Sequence, residues 1–185
     1  MHEKRKTYTV DVAGLSRDLP LFEVAPGLRI AVLNILGDTE FTESCAQNLA
    51  SKIKDVDYDL LVTPEAKSIP LAHALSTATG KAYIVLRKAY KPYMGAALRT
   101  ETSSITTGKT QDLYLDEKDR KMIADRKVVL LDDVISTGST LTGMEELMKL
   151  AGAKVVAKVA IFTEGDPAEW KDIIALGNLP LFKDE

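Results

Sequence analysis

Residues 127–141, KVVLLDDVISTGSTL, constrain the fold of this chain more than any other stretch. They open with four apolar residues, VVLL, which are typical of a strand buried on both faces of a parallel sheet. Two adjacent acids, Asp132 and Asp133, follow, and we expect them to end the strand because charge is costly inside a core. A hydroxyl-rich turn comes next, and residues 142–150 are predicted to form a helix behind it. This order of elements predicts an α/β unit.

The turn after the two acids has the composition of a phosphate-binding site. It consists of Ser136, Thr137, Gly138, Ser139 and Thr140. Unpaired N–H groups at the start of a helix attract anions, and small side chains let a phosphate come close. The acids lie one turn away, where their oxygens can accept hydrogen bonds from sugar hydroxyls. An ordinary strand–loop–helix turn is the alternative, but it leaves two acids at a buried strand end without a role.

The composition indicates a soluble globular protein. With 185 residues the chain is long enough to bury the core of one domain, and its formal net charge of −3 argues weakly against a nucleic-acid-binding surface. Cys45 is the only cysteine, so no internal disulfide can form and a reducing compartment is expected. No apolar stretch has the length of a signal peptide core or a membrane span. We therefore expect a cytoplasmic protein with no membrane or nucleic-acid partner.

Strand and helix signals alternate along the chain. Residues 14–26 contain two prolines and are expected to be irregular, and Thr39 is expected to cap the first helix. Strands are predicted at residues 7–12, 28–36, 58–63, 82–86, 127–131 and 154–162, and helices at 39–53, 69–78, 142–150 and 168–176. This alternation predicts an α/β fold with a mainly parallel central sheet flanked by helices.

Four loops follow predicted strands, at residues 64–68, 87–91, 132–140 and 163–167. Ligands of parallel sheets bind at the carboxyl ends of the strands, so we expect these loops to share one cleft. Arg87, Lys88 and Lys91 concentrate positive charge in the second loop, although a merely solvated cluster is the alternative. Residues 92–112 form a long hydrophilic excursion, which in a compact domain is typical of a functional or mobile segment.

With these residues assembled, the sequence resembles the type I phosphoribosyltransferases. The stretch VVLLDDVISTGST matches the strand, acids and loop of their fingerprint, and TPEAKSIPLAHALS and YIVLRKAYK are similar to the purine branch, which holds adenine and xanthine phosphoribosyltransferases. The resemblance implies transfer of ribose 5-phosphate from phosphoribosyl pyrophosphate (PRPP) to a purine nitrogen in base salvage, with release of pyrophosphate. It also implies one domain over residues 1–185, a hood in residues 1–37, a flexible lid in residues 92–112, and a homodimer.

The resemblance implies a role for each matching residue. Asp132 and Asp133 are expected to hold the ribose hydroxyls and to stabilise positive charge on the sugar ring, while residues 136–140 bind the 5-phosphate. Six residues are expected at the pyrophosphate: Ala66, Lys67, Ser68, Arg87, Lys88 and Lys91. Mg²⁺ is expected to arrive with PRPP, without a direct protein ligand. The lid is expected to exclude water from the reacting sugar.

The base is expected to contact Leu28, Asn34 and Glu164. Leu28 and Asn34 lie in a segment comparable with the hood of xanthine-type enzymes, which supplies a leucine and an asparagine to the base. Glu164 stands where those enzymes place a lysine, and a carboxylate suits a base edge that presents N–H donors. Adenine-type enzymes carry a lid glutamate before a Gly-Lys pair, and this chain has SITT before Gly108-Lys109. The sequence leaves the particular purine open.

Two other functions remain as alternatives at this stage. One is a regulatory domain that senses PRPP without catalysing transfer, and the other is an orotate-type phosphoribosyltransferase. A nucleoside triphosphatase is disfavoured, because Ser103 stands where a Walker loop ending in Gly108-Lys109-Thr110 needs its first glycine. Trp170 is expected to pack against the last helix or at a subunit contact.

Overall fold

The computed structural model describes residues 5–103 and 110–183, in which strands and helices alternate as expected. The strands in chain order are β1 (Thr7–Val12), β2 (Leu15–Ala25), β3 (Leu28–Ala31), β4 (Leu60–Pro64), β5 (Ala82–Leu86), β6 (Leu98–Ser103), β7 (Thr110–Leu115), β8 (Lys127–Ile135), β9 (Lys154–Glu164), β10 (Ile173–Leu179) and β11 (Phe182–Lys183). The helices are α1 (Thr39–Lys52), α2 (Ile69–Thr79), α3 (Glu117–Ile123) and α4 (Ser139–Leu150).

Five parallel strands form the central sheet, in the order β10-β9-β8-β4-β5. The run VVLL lies in its middle strand. Val129 and Leu131 pack in one cluster with α1 and α2, and Val128 and Leu130 pack in a second cluster with α4. Burial on both faces explains why this run shows no polar alternation. The α/β prediction with a mainly parallel sheet is confirmed.

The order of the strands creates a crevice between β4 and β8. The chain leaves β4 through α2 and returns at β5, on one side, and it leaves β8 through α4 and returns at β9, on the other. The two connections therefore diverge from a single point at the carboxyl edge of the sheet. Such a switch point is where open α/β sheets bind ligands, and the loops after β4 and β8 are the two that border it.

A second sheet, of four antiparallel strands, joins the two ends of the chain in the order β1-β2-β3-β11. The prediction of an irregular segment at residues 14–26 is wrong, because residues 15–25 form β2. Pro20 misled it. This proline lies where β2 ends its pairing with β1 and starts its pairing with β3, so its missing N–H interrupts neither ladder.

Several element boundaries also differ from the predictions. The third strand ends at Ala31 rather than at residue 36, and α1 is capped by Asp38, whose side chain accepts a hydrogen bond from the Phe41 N–H, rather than by Thr39. The strand β8 continues through both acids to Ile135, since Asp132 still lies opposite Ala160 of β9. Backbone pairing with a neighbour thus outweighs the polarity of the side chains.

The predicted last helix, at residues 168–176, is wrong as well. A 3-10 turn, Pro167–Trp170, leads directly into β10, which pairs in parallel with β9. The helical spacing of a short apolar run does not distinguish a helix from a buried strand, and here the β-branched pair Ile173 and Ile174 agrees with the strand.

Strands β6 and β7 form an antiparallel hairpin beside α4. Most of its residues belong to the segment predicted to be a lid, residues 92–112, and that role stays a prediction. Residues 104–109, including Gly108-Lys109, lie outside the described residues. Among the helices that are described, none has the length and apolar character needed to cross a membrane.

Candidate active site

The two acids of β8 reach the carboxyl edge of the sheet at the switch point. Asp133 is buried, with 5% of its surface exposed, and its Oδ2 lies 2.9 Å from Nζ of Lys67 in the loop after β4. The contact is an ion pair and not an aligned hydrogen bond. The Lys67 ammonium also donates to the carbonyl oxygen of Leu33 at 3.3 Å. This lysine therefore ties both sides of the crevice to the segment after β3.

Asp132 is half-buried beside this pair, and its Oδ1 accepts a hydrogen bond from the Asp133 N–H at 2.9 Å. Burial and the negative charge of Asp133 raise the pKa of the Asp132 carboxyl, while the charge of Lys88 lowers it. Two carboxylates in one buried corner disfavour double ionisation unless cations approach. The corner is consequently suited to a ligand that brings hydroxyl donors or positive charge.

The hydroxyl–glycine loop leads from β8 into α4 and encloses a small hollow. Its predicted residues, Ser136, Thr137, Gly138, Ser139 and Thr140, all line this hollow, together with Asp132. Gly138 is the N-cap of α4 and has φ +74°, a conformation that a glycine adopts without strain. The hydroxyls of Thr137 and Ser139 lie 3.0 Å apart. The N–H groups in the first turn of α4 have no acceptor within the helix, and this end of the helix borders the hollow. The arrangement favours binding of an anion.

The loop after β4 contributes the opposite wall of the crevice. Ala66 and Lys67 are exposed there, and the peptide bond between Glu65 and Ala66 is cis. Ser68 is buried instead. Its hydroxyl accepts a hydrogen bond from Thr63 and donates one to the carbonyl oxygen of Pro64. The Ser68 side chain therefore holds the loop in shape, and its hydroxyl is already engaged on both sides.

The basic segment after β5 is organised by Glu65, which sequence reasoning passed over. One carboxylate oxygen accepts a hydrogen bond from Nε of Arg87 at 2.6 Å, and the other accepts one from the backbone N–H of Lys88 at 2.5 Å. The pKa of the Arg87 guanidinium is raised by this contact. Lys88 and Lys91 are exposed. The structure thus places two exposed cations and one clamped arginine next to the loop that carries Lys67.

The residues predicted to contact the base occupy different elements. Leu28 begins β3 and pairs with Lys183 of β11. Asn34 is exposed after β3, where its side chain accepts a hydrogen bond from the Leu36 N–H. Glu164 ends β9 and is 9% exposed, and burial raises the pKa of its carboxyl.

The C-terminal segment runs past two of these residues, Glu164 and Leu28. Leu181 approaches Gly165, the residue after Glu164, with 3.8 Å between its Cδ1 and the position of a Cβ on Gly165, and the segment then pairs with β3. The contact of Leu28, Asn34 and Glu164 with a base stays a prediction.

Two further residues at this edge were missed. Asn178 of β10 accepts a hydrogen bond from the Thr163 hydroxyl and donates one to the Gly165 carbonyl, so it fixes the end of β9. Trp170 packs beneath Gly138 instead of against a last helix. A single tryptophan is a signal in itself, since a buried indole N–H usually has a hydrogen-bond acceptor. Its partner was not predictable, because the turn that carries Trp170 has the apolar spacing of a helix.

Taken together, the carboxyl edge presents anion-binding groups on both sides of an acidic centre. The N-terminus of α4 lies on one side, and Lys67 and Lys88 lie on the other. Ligands with a phosphate at each end and hydroxyl groups between them match this distribution of charge.

Comparisons with known proteins agree with that chemistry. The family described as the phosphoribosyl transferase domain matches residues 33–176. An adenine phosphoribosyltransferase of Thermosipho africanus is 30% identical over 150 residues, which cover 80% of this chain and 84% of that protein. A hypoxanthine/guanine phosphoribosyltransferase of Methanothrix soehngenii is 37% identical over 118 residues, which cover 64% of this chain and 59% of that protein.

Solved structures show the same fold. The adenine phosphoribosyltransferase of Thermoanaerobacter pseudethanolicus superimposes with a TM-score of 0.66 at 19% identity and covers 94% of this chain and 95% of its own. The enzyme of Giardia lamblia complexed with 9-deazaadenine superimposes with a TM-score of 0.66 at 16% identity and covers 93% of each chain.

Proposed function

Since this chain belongs to the phosphoribosyl transferase family, we propose that it transfers the 5-phosphoribosyl group of PRPP to a nitrogen of a purine base. The bond between the sugar C1 and the pyrophosphate oxygen breaks, and its electrons leave with pyrophosphate. A bond from C1 to the base nitrogen forms, and that nitrogen loses its proton. The products are a purine nucleoside 5'-monophosphate and pyrophosphate, which fits a role in base salvage.

Asp132 and Asp133 are the residues to which we assign the sugar. Their carboxylates accept hydrogen bonds from the ribose hydroxyls, and their charge stabilises the cationic ring that develops as the bond to pyrophosphate breaks. Residues 136–140 bind the 5-phosphate through hydroxyl groups and the N–H groups at the start of α4. The adjacency of this hollow to Asp132 supports the assignment, since a ribose 5-phosphate has both groups on one small molecule.

Pyrophosphate lies on the opposite wall in this proposal. Lys67, Lys88 and Lys91 supply ammonium groups, Arg87 supplies part of the local positive potential, and Ala66 and Ser68 supply backbone N–H groups. Lys67 has a second task when no substrate is bound, because its ion pair offsets the buried charge of Asp133. Its side chain is 47% exposed, which leaves it room to turn towards an incoming pyrophosphate.

Mg²⁺ fits this site as an ion that enters on PRPP. It prefers oxygen ligands and keeps several waters, and the carboxylates of Asp132 and Asp133 can accept hydrogen bonds from those waters. When bound, the ion neutralises charge on the leaving pyrophosphate.

The base is assigned to the cleft edge near Glu164, with Leu28 and Asn34 of the N-terminal segment as its hood. Among these residues, Glu164 is the one proposed to distinguish one purine base from another, because a buried carboxyl needs a hydrogen-bonding partner on the ligand. An ionised carboxylate selects N–H donors on the base, as on the edges of guanine or hypoxanthine. Residues 92–112 are the lid in this proposal and exclude water from the reacting sugar.

One observation carries the proposal, namely the pair of acids that lies between two anion-binding walls at the switch point. The test supplies the purified chain with PRPP, Mg²⁺ and adenine, guanine, hypoxanthine or xanthine in turn, and follows pyrophosphate release. We expect turnover with at least one purine, and a loss of about 10³-fold or more in kcat for Asp133→Asn with the fold unchanged by circular dichroism. PRPP binding without turnover on any base would favour a sensor instead.

We also propose that the protein is a cytoplasmic homodimer, as the resemblance implies. The exposed segment that carries Lys88, Tyr90 and Lys91 is available for such a contact. Light scattering coupled to size-exclusion chromatography measures the assembly, and a mass of one chain at assay concentrations argues against a dimer.

A further inference from the structure

Trp170 touches both ends of the site although it lies outside every loop that borders the crevice. It is the only tryptophan of the chain and ends the 3-10 turn after β9. The cap of this turn is Asp166, whose side chain accepts a hydrogen bond from the Ala168 N–H at 2.8 Å. The indole is half-buried and packs against the cluster that contains α4. Its position is therefore set by the turn and by the core together.

The ring of Trp170 lies directly against the phosphate loop. A Cβ placed on Gly138 would be 3.1 Å from Cη2 and 3.3 Å from Cζ3 of the indole, closer than ordinary carbon contacts. The loop therefore rests on the six-membered ring at the residue where its backbone turns into α4. A ring in this place fixes how deep the loop lies, and with it the direction of the first N–H groups of the helix.

The indole N–H of Trp170 points the other way. It donates a hydrogen bond of 2.8 Å to the backbone carbonyl of Glu164, the last residue of β9. Glu164 is buried, so its backbone must be held in place for its carboxylate to be aimed. One side chain consequently spans from the phosphate loop to the residue assigned to the base.

We propose that Trp170 is a positioning residue of the transfer reaction, whose ring supports the 5-phosphate loop and whose N–H aims Glu164 at the base. The inference rests on the proposed function, because it gives these two residues their ligands. Trp170 itself touches neither ligand.

The two contacts of Trp170 can be graded by substitution. Trp170→Phe removes the hydrogen bond and leaves a shorter aromatic ring, which loses part of the contact at Gly138, and Trp170→Leu removes both the aromatic ring and the hydrogen bond. Leu147→Ala is the matched control, because Leu147 is fully buried in the same cluster on α4 but lies two turns away from Gly138. It lowers stability without altering the loop.

Calorimetric titration measures the affinity of the loop for ribose 5-phosphate without any turnover. We expect Trp170→Leu to weaken the dissociation constant about tenfold, Trp170→Phe to stay within about threefold of the wild type, and Leu147→Ala to be unchanged. Steady-state kinetics measure the effect on the base, at the Glu164 end of the site. We expect Trp170→Phe to raise the KM for the base about threefold to tenfold while the KM for PRPP stays within about twofold.

The fluorescence of the single tryptophan supplies an independent signature. Ribose 5-phosphate should change the emission of the wild type with the dissociation constant found by calorimetry, since the indole lies against the loop that closes on the phosphate.

Three results would overturn the inference. One is an unchanged affinity of Trp170→Leu for ribose 5-phosphate. Another is an equal loss of this affinity in Leu147→Ala at equal thermal stability. The third is tryptophan emission of the wild type that does not change when ribose 5-phosphate is added. A wild-type chain that binds ribose 5-phosphate yet turns over no purine removes the proposed function but leaves the phosphate half of the inference standing on the calorimetric result. A wild-type chain that turns over a purine but does not bind ribose 5-phosphate removes the phosphate half of the inference and leaves the proposed function standing.

Discussion

Asp132 occupies a position at which the requirements of folding and of its proposed role in binding the sugar oppose each other. Its carboxyl is half-buried next to Asp133, and both burial and that neighbouring charge raise its pKa. The folded state therefore holds the proton more tightly than the unfolded state does. It follows that the free energy of unfolding falls as the pH rises from the usual aspartate range through the raised pKa.

Replacing the carboxyl of Asp132 tests the predicted direction of this pH dependence. We expect Asp132→Asn to raise the free energy of unfolding by about 1–2 kcal/mol at about pH 8, where the wild type must either bury a charge or take up a proton on folding, and to lose that advantage at about pH 4.5. The same variant should lose most of its activity. Chemical denaturation at the two pH values measures the effect.

An acid in the opposite situation provides the control. Asp57 is exposed and paired with Lys127, which lowers the pKa of its carboxyl. Its contribution is present above the usual aspartate pKa and is lost as the pH falls, so Asp57→Asn should not stabilise the protein at any pH. A stabilisation of Asp132→Asn that does not depend on pH would contradict the electrostatic account.

Comparison of Gly138 with Gly152 separates the cost of backbone strain from the cost of a clash with Trp170. Gly138 and Gly152 both have φ +74°, but only Gly138 has a neighbour, Trp170, within reach of a Cβ. We expect Gly152→Ala and Gly138→Ala each to lose about 1 kcal/mol of stability from backbone strain. Only Gly138→Ala should also raise the KM for PRPP, by about tenfold, because the loop must lift off the indole. Thermal unfolding and initial rates distinguish the two costs.

At the scale of elements, the hairpin of β6 and β7 is anchored to its surroundings at two places. The Thr100 hydroxyl donates a 2.6 Å hydrogen bond to Glu146 of α4, and the backbone of Arg87 exchanges two hydrogen bonds with Tyr114. Thr100 is buried, with 7% exposed. The base of the predicted lid is thus tied to the helix that starts at the phosphate loop and to the strand end that carries the basic segment.

Removing the first anchor should loosen the hairpin selectively. We expect Thr100→Val to lose about 1 kcal/mol of stability and to speed hydrogen exchange in β6 and β7, with β8 and β9 unaffected. Thr9→Val serves as the control, since the Thr9 hydroxyl bonds to Asp18 at an exposed position of another hairpin. Equal exchange in both variants would mean that Glu146 does not hold the hairpin.

Elements with strong local signals were predictable from the sequence. The run VVLL, the helix with Phe41, Cys45 and Leu49, and the strand at residues 82–86 all follow from apolar pattern and turn residues. The loop of residues 136–140 also lies beside Asp132 as expected, whereas the two acids do not end the strand. Pro20 shows the limit, because only the change of partner along β2 makes a proline acceptable there. Glu65 shows it again. Its importance depends on a contact with Arg87 across 22 positions of sequence, which no local pattern records.

At the scale of the whole molecule, the two ends of the described chain meet in one sheet. Phe182 of β11 pairs with β3 and its ring packs edge-on against Tyr8 of β1, with 5.1 Å between ring centroids. The same segment passes Gly165 beside Glu164. The N-terminal sheet is therefore held at the side of the crevice proposed to bind the base by a contact made at the other end of the described chain.

Phe182→Ala tests this closure. We expect a loss of about 1–2 kcal/mol of stability and a KM for the base raised about threefold or more, with the KM for PRPP unchanged. Phe22→Ala removes an aromatic ring from the same sheet at a 38% exposed position and should leave both KM values alone. An equal rise of both KM values in Phe182→Ala would place the effect on the whole site and contradict the assignment.

The two faces of β8 have a consequence for how such a chain can diversify. The cluster on one face contains α1, α2 and the N-terminal sheet, while the cluster on the other contains α4 and the hairpin. In the proposed assignment, substitutions in the first core can shift the segment that carries Leu28 and Asn34 without touching α4, whereas a change at Trp170, which packs against the second core, reaches both ends of the site. A lineage that drifts from one nucleobase to another is therefore expected to vary its first core and to keep Trp170, because selection acts on two cores that share a single strand.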